Sequence, residues 1–224
     1  MDSYRFDTHV HTSETSLCGR VDAVTLTRLY KQSGYQGIVI TDHYYGEYFE
    51  TMSTDSWKEK TDVFLEGYRN ALAEGNKIGL NVLLGMEIRF NENSNDYLVY
   101  GMDENFLYDN PKLYEHTLQS FKEFIRGRAL LLYQAHPFRI CVEPADPAFL
   151  DGVEVYNGNP RHDSQNHRAL EYAKKNRLKM LSSSDFHQMD DLARGGIILP
   201  EVPRTSAELA ALLNENKVMK LLST

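Results

Sequence analysis

Short segments of the chain place histidines and carboxylates at spacings that suit metal ligation. His9 and His11 are separated by one residue, and positions i and i+2 of an extended strand project to the same face, so both imidazoles can reach one ion. Thr41-Asp42-His43 follows the apolar run Gly37-Ile38-Val39-Ile40, where a buried strand emerges and presents its first polar side chains. A metal-bound imidazole needs its other nitrogen held, and Asp42 or a neighbouring carboxylate can serve. Glu87 lies inside the apolar run 82–88, where a carboxylate is expensive to bury unless paired or metal-bound. His136, before Pro137 and Phe138, again stands where an apolar run ends. Asp185 and His187 repeat the i, i+2 spacing after Ser182-Ser183-Ser184.

Taken singly, each segment also reads as an ordinary strand end or turn. Taken together, imidazole nitrogens with Asp and Glu oxygens suit Zn²⁺, Mn²⁺ or Fe better than Ca²⁺ or Mg²⁺, whose coordination is dominated by oxygen. The candidates exceed what one tetrahedral ion needs, which points to two or three divalent ions. A water bridging two ions is acidified enough to attack near neutral pH, and paired ions stabilise the entering and leaving oxygens of an in-line displacement at phosphorus. No protein nucleophile is then required, and the chain has no Gly-x-Ser-x-Gly elbow, no Gly-x-x-x-x-Gly-Lys loop and no Gly-x-Gly-x-x-Gly. Asp185 or His187 can also move protons, within the limits that ligation sets.

Such distant segments meet only if the elements between them converge. Apolar runs predict strands over 4–10, 37–41, 81–90, 96–101, 129–135, 152–156 and 179–182, alternating with helical patterns. Asp22 caps a first helix in which Leu26, Leu29 and Tyr30 share a face and Gly34 supplies a left-handed stop. Segments 57–76, 113–128 and 166–175 read similarly, and Thr205 with Glu208 forms a capping box before Leu209, Leu212 and Leu213. The alternation predicts an α/β fold, a barrel or wound sheet whose chemistry lies at the carboxyl ends of its strands.

The 224 residues form one domain on this reading, with no repeat, linker or low-complexity tract. A net charge of -8 and the lack of a Lys/Arg cluster argue against a duplex nucleic-acid partner. The longest apolar runs hold about five residues, short of the ~18 a membrane-spanning helix needs, so no membrane partner is expected. The N-terminus has neither a basic start nor an apolar stretch, so a cytoplasmic address is expected. Cys18 and Cys141 are too few for a disulfide framework and are expected to stay reduced.

The order His-x-His, Thr-Asp-His, isolated Glu, His-Pro and late Asp-x-His, running from residue 7 to 187, resembles the PHP (polymerase and histidinol phosphatase) domain family. The resemblance implies a distorted (β/α)7 TIM-like barrel over 1–224, a di- or trinuclear metal centre and phosphoester hydrolysis. It implies that His9, His11, Glu87 and Asp185 hold one ion, that Glu87 bridges to a second also bound by His136, and that His43 and His187 hold a third. Two positions depart from the family pattern. Asp96 stands where a histidine is common, giving the second ion oxygen in place of nitrogen. Cys18 stands where an Asp or His commonly serves the third ion; it reads equally well as a small loop residue.

Arg139, Arg161 and Arg194 are candidates to hold a phosphate, since guanidinium groups make two-point contacts with phosphate oxygens. His116, His162 and His167 read as surface residues. Tyr44, Tyr45, Tyr48 and Phe49 form either a lid or substrate wall or simple loop packing. The expected function is a metal-dependent phosphoesterase acting on a small phosphorylated metabolite or nucleotide, histidinol phosphate being a narrower version. Hydrolysis of C–N or C–O bonds in the manner of amidohydrolases, and an inactive metal-stabilised interaction module, are the competing expectations.

Overall fold

The computed structural model describes residues 3–224. Each apolar run becomes a strand, and three further strands join them: β1 (Tyr4–Val10), β2 (Gly37–Ile40), β3 (His43–Tyr44), β4 (Asn81–Arg89), β5 (Asp96–Tyr100), β6 (Leu131–Gln134), β7 (Gly152–Asn157), β8 (Lys179–Ser183), β9 (Gly195–Leu199) and β10 (Lys220–Ser223). They form one sheet in the order β10-β9-β1-β2-β4-β5-β6-β7-β8, with β3 beside β4. The sheet curls until the segment after β8 returns to β1. There Phe186 N donates to the His9 carbonyl at 3.2 Å and His11 N donates to the Phe186 carbonyl at 2.9 Å.

The architecture is thus a nearly closed α/β barrel, distorted in two places. Strand β5 runs antiparallel to both β4 and β6, and β9 runs antiparallel to β1 and β10. The remaining neighbours are parallel, so β1, β2, β3, β4, β6, β7 and β8 all emerge at one end. The antiparallel β5 brings its first residue, Asp96, to that same end.

Helix α1 (Ala23–Gln32) is capped as its sequence predicts: Asp22 accepts from Thr25 N at 2.9 Å, and Gly34 adopts φ 80 beyond its end. A short helix α2 (Gly46–Glu50) follows β3. The expected helix over 57–76 is two helices, α3 (Trp57–Phe64) and α4 (Glu66–Ile78), broken at Leu65. In α4 a Cβ on Gly67 would lie 1.9 Å from Thr12 Oγ1, so only glycine allows the helix to approach the loop after β1. After α5 (Glu104–Asp109), the expected helix over 113–128 resolves into a 3₁₀ turn and α6 (Leu118–Phe124), because Thr117 caps a new start by accepting from Ser120 N. Helix α7 is Asn166–Asn176 and α8 is Ser206–Asn214. Thr205 caps α8 by accepting from Glu208 N at 3.1 Å, but the Glu208 carboxylate accepts from Arg204 N, so the capping box is half formed.

Phe6, Val39, Leu83, Leu98, Tyr100, Tyr133 and Leu181 form one buried apolar set, against which Leu209 and Leu213 of α8 pack. A second set is aromatic. Tyr44, Tyr48 and Phe49 are buried beside Phe64 and Tyr114, so these three are packing, whereas Tyr45 is half-buried against His43 and Arg89. No helix among the described residues is long and apolar enough to cross a membrane.

Candidate metal centre

The candidate ligands meet at the end of the barrel where the parallel strands emerge. Glu87, fully buried in β4, is the hub. Its Oε1 lies 3.2 Å from His9 Nε2 and 3.2 Å from His136 Nε2; its Oε2 lies 3.4 Å from His11 Nε2 and 2.7 Å from His43 Nδ1. Asp185 approaches from the opposite side, with Oδ1 at 3.5 Å from His9 Nε2, 3.6 Å from His11 Nε2 and 3.3 Å from His187 Nδ1. Three overlapping sets have ligand atoms within 4.8 Å of one another: His9, His11 and Asp185; His11, His43 and His187; and His43, Glu87 and Asp96.

The side chains fit divalent cations. His9 Nε2, His11 Nε2 and Glu87 Oε2 are buried and take part in no hydrogen bond, although they crowd together. Buried polar atoms are rarely left so, and a cation accepts lone pairs from all three at once. Charge is balanced by neighbours in the same way. Burial alone would raise Glu87, but His9 and His43 outweigh it and hold the carboxyl well below its ordinary range. Burial likewise opposes ionisation of Asp185, and His9 and Arg139 hold it low. His11 is pushed down by burial and by the charges of His187 and His43.

Further residues hold the ligands in place. Asp42 steadies His11, not His43: its Oδ1 accepts from Thr12 N and from Ser16 Oγ, each at 2.7 Å, and Ser16 Oγ lies 3.1 Å from His11 Nδ1. Ser16 Oγ also accepts from His43 N at 3.1 Å. Glu154, which the sequence reading passed over, lies 3.0 Å from His9 Nδ1. Its signal was the one that marked Glu87, a carboxylate between apolar strand residues, Val153 and Val155.

Above the ligands lies a cavity of about 370 Å³. Cys18 stands at its edge beside His187 and His43; burial raises the thiol, but the two imidazoles prevail and bring it down to about 6. Asp96 also reaches the cavity, although both its oxygens accept from Arg89, at 2.8 and 2.9 Å. Arg139 donates from Nη2 to Asp185 Oδ2 at 2.7 Å, while its buried Nε donates to nothing. Arg161 lines the wall, held by both oxygens of Asp191 at 2.7 Å. Arg194 is not part of the wall, because its Nε donates to the Gly158 carbonyl at 3.0 Å. Arg20 and Arg89 take part in its stead. Both follow a candidate ligand by two residues, Cys18 and Glu87, which was the available signal. His162, read as a surface residue, is exposed but also lines the cavity.

A family model described as the PHP domain matches residues 7–219. A search of curated proteins finds no match to the chain. Among solved structures, PsfC from Pseudomonas syringae PB-5123 superposes with a TM-score of 0.70 at 16% identity, covering 100% of this chain and 93% of that one. A two-domain protein from Bacteroides vulgatus containing a predicted PHP-like metal-dependent phosphoesterase gives 0.64 at 16% identity, covering 96% of this chain and 64% of that one. An amidohydrolase from Chromobacterium violaceum gives 0.58 at 15% identity, covering 96% and 97%. These likenesses bear on the fold. The match over residues 7–219, together with the order and convergence of the ligands, shows that the chain belongs to the PHP domain family.

Proposed function

We propose that this protein is a metal-dependent phosphoesterase acting on a small phosphorylated metabolite or nucleotide. The observation that carries the reading is the convergence of His9, His11, His43, Glu87, His136, Asp185 and His187 beneath a cavity walled by Arg20, Arg89, Arg139 and Arg161. Cations held at the floor and guanidinium groups on the walls would suit a phosphate better than an amide.

In this reading His9, His11, Glu87 and Asp185 would hold one ion, Glu87 and His136, with Asp96, a second, and His43 and His187, with Cys18, a third. When bound, Zn²⁺, Mn²⁺ or Fe supplies an acidified water and polarises a phosphoryl oxygen. The chain's own residues do the rest. Arg139, anchored by Asp185, Asn157 and Ser164, turns its guanidinium toward the cavity. Arg161, fixed by Asp191 in the same wall, would help to orient the phosphoryl group. His187 is positioned by its Nδ1, 3.0 Å from the Asp185 carbonyl, which leaves Nε2 as the free lone pair.

The test is a panel of phosphomonoesters (histidinol phosphate among them), phosphodiesters and amides, assayed with Mn²⁺ or Zn²⁺, with and without chelator. Chelator-sensitive phosphate release is expected. His9→Ala and Asp185→Ala are expected to lose activity on the order of a thousandfold while still melting cooperatively. Amide cleavage in place of phosphate release would select C–N hydrolysis, and metal uptake without turnover of any substrate would select a metal-stabilised interaction module.

A further inference from the structure

Glu154 is fully buried in β7, and its two oxygens serve different partners. Oε1 lies 3.0 Å from His9 Nδ1 and accepts from the Ser183 hydroxyl. Oε2 accepts from His136 N at 2.9 Å and from Asn157 Nδ2 at 2.9 Å. Asn157 Nδ2 also donates to Asp185 Oδ2 at 3.1 Å. One carboxylate therefore links His9 after the middle of β1, His136 after β6 and, through Asn157, Asp185 after β8.

We infer that Glu154 is the positioning residue that fixes which nitrogen of His9 faces the metal centre. This rests on the metal-centre reading above. A backbone N–H and an amide NH₂ can only donate, so the atom at Oε2 must be an oxygen. The atom at Oε1 then decides the imidazole. As an oxygen it accepts from Nδ1–H, which puts the His9 lone pair on Nε2, the nitrogen 3.2 Å from Glu87 Oε1 and 3.5 Å from Asp185 Oδ1.

The same logic makes the nearly isosteric amide a poor replacement. In Glu154→Gln the amide oxygen is claimed by His136 N and Asn157 Nδ2, so the amide nitrogen falls at Oε1 and donates to His9 Nδ1. The imidazole proton then sits on Nε2, where it blocks ligation. Glu154→Asp removes a methylene but keeps two accepting oxygens. Packing alone ranks Gln above Asp; acceptor chemistry ranks Asp above Gln.

The experiment measures Zn²⁺ affinity by chelator competition, and the protonation of His9 by ¹⁵N NMR of the zinc-loaded protein. For Glu154→Gln the expected result is a loss of about 10–100-fold in zinc affinity and of the His9 Nδ1–H signal, with Glu154→Asp binding more tightly than Glu154→Gln. Affinity within about threefold of wild type in Glu154→Gln, with Nδ1–H intact, overturns the inference. If that variant does not fold, the zinc-loaded wild type decides. A protonated Nδ1 on His9 supports the assignment, and ligation through Nδ1 overturns it. A wild-type protein that takes up no zinc overturns the metal-centre reading itself, whereas zinc uptake indifferent to the amide overturns only the role of Glu154.

Discussion

Arg89 and Asp96 face each other across the β4–β5 hairpin as a two-point pair, Nε to Oδ1 at 2.8 Å and Nη2 to Oδ2 at 2.9 Å. The guanidinium neutralises a carboxylate that also lies within ligating reach of His43 and Glu87. Arg89→Ala leaves Asp96, whose side chain is 7% exposed, without its cation. Metal-free protein is expected to lose about 1–2 kcal/mol, less than for a buried pair because Arg89 is itself partly exposed. Mn²⁺ or Zn²⁺ will then stabilise the variant more than wild type in urea denaturation, since the freed carboxylate can join the ligands. An equal metal effect in both proteins excludes Asp96 as a ligand.

Helix α4 sets the loop that carries Ser16 and holds His11. A Cβ at position 67 would press on Thr12 Oγ1 and lie 3.0 Å from Asp42 Oδ2. Gly67→Ala is expected to cost about 1–3 kcal/mol by overpacking and also to weaken zinc binding. Denaturation and zinc titration of the same sample check both parts. Unchanged zinc binding would mean that the Asp42-Ser16-His11 chain does not position the imidazole.

Cys18 and Cys141 are both exposed, but only Cys18 borders His43 and His187. Iodoacetamide is expected to modify both thiols in metal-free protein, and Zn²⁺ to protect Cys18 alone. Mass spectrometry of the alkylated peptides reads this directly. Equal labelling of Cys18 with and without zinc shows that the thiol is only a loop residue.

Away from the site, Glu74 in α4 takes Arg28 Nε at 2.6 Å and Lys77 Nζ at 3.3 Å. The Arg28 contact is the chief reason its pKa lies below the ordinary value near 4.5. A depressed folded-state value means the contribution is present above pH 4.5 and is lost as pH falls through the folded-state value. Glu74→Gln will therefore lower stability at pH 7 and flatten its acid dependence. Denaturation midpoints at pH 7 and at acid pH in the two proteins make the comparison.

The parallel strands and their ligands were legible because burial on both faces leaves apolar runs, which Glu87 interrupts and after which His43, His136 and Asp185 follow. Strands β9 and β10 were not. β9 opens on Gly195 and Gly196, which read as a turn, and β10 has only four residues. The break at Leu65 carries no proline or glycine at the break itself, so α3 and α4 read as one helix. Among site residues, Glu154 escaped because a lone carboxylate between two valines also describes a strand with one wet face. Arg194 was misplaced because proximity in sequence to a site does not fix where a long side chain turns; the Gly158 carbonyl decided that.

His136 and Asp185 both sit in the left-handed region, at φ 28 and 52. Conformations of this kind cost about 1–3 kcal/mol each for residues with a side chain. The chain bears that penalty when it folds, before any ion arrives, so little reorganisation is left for the moment of capture.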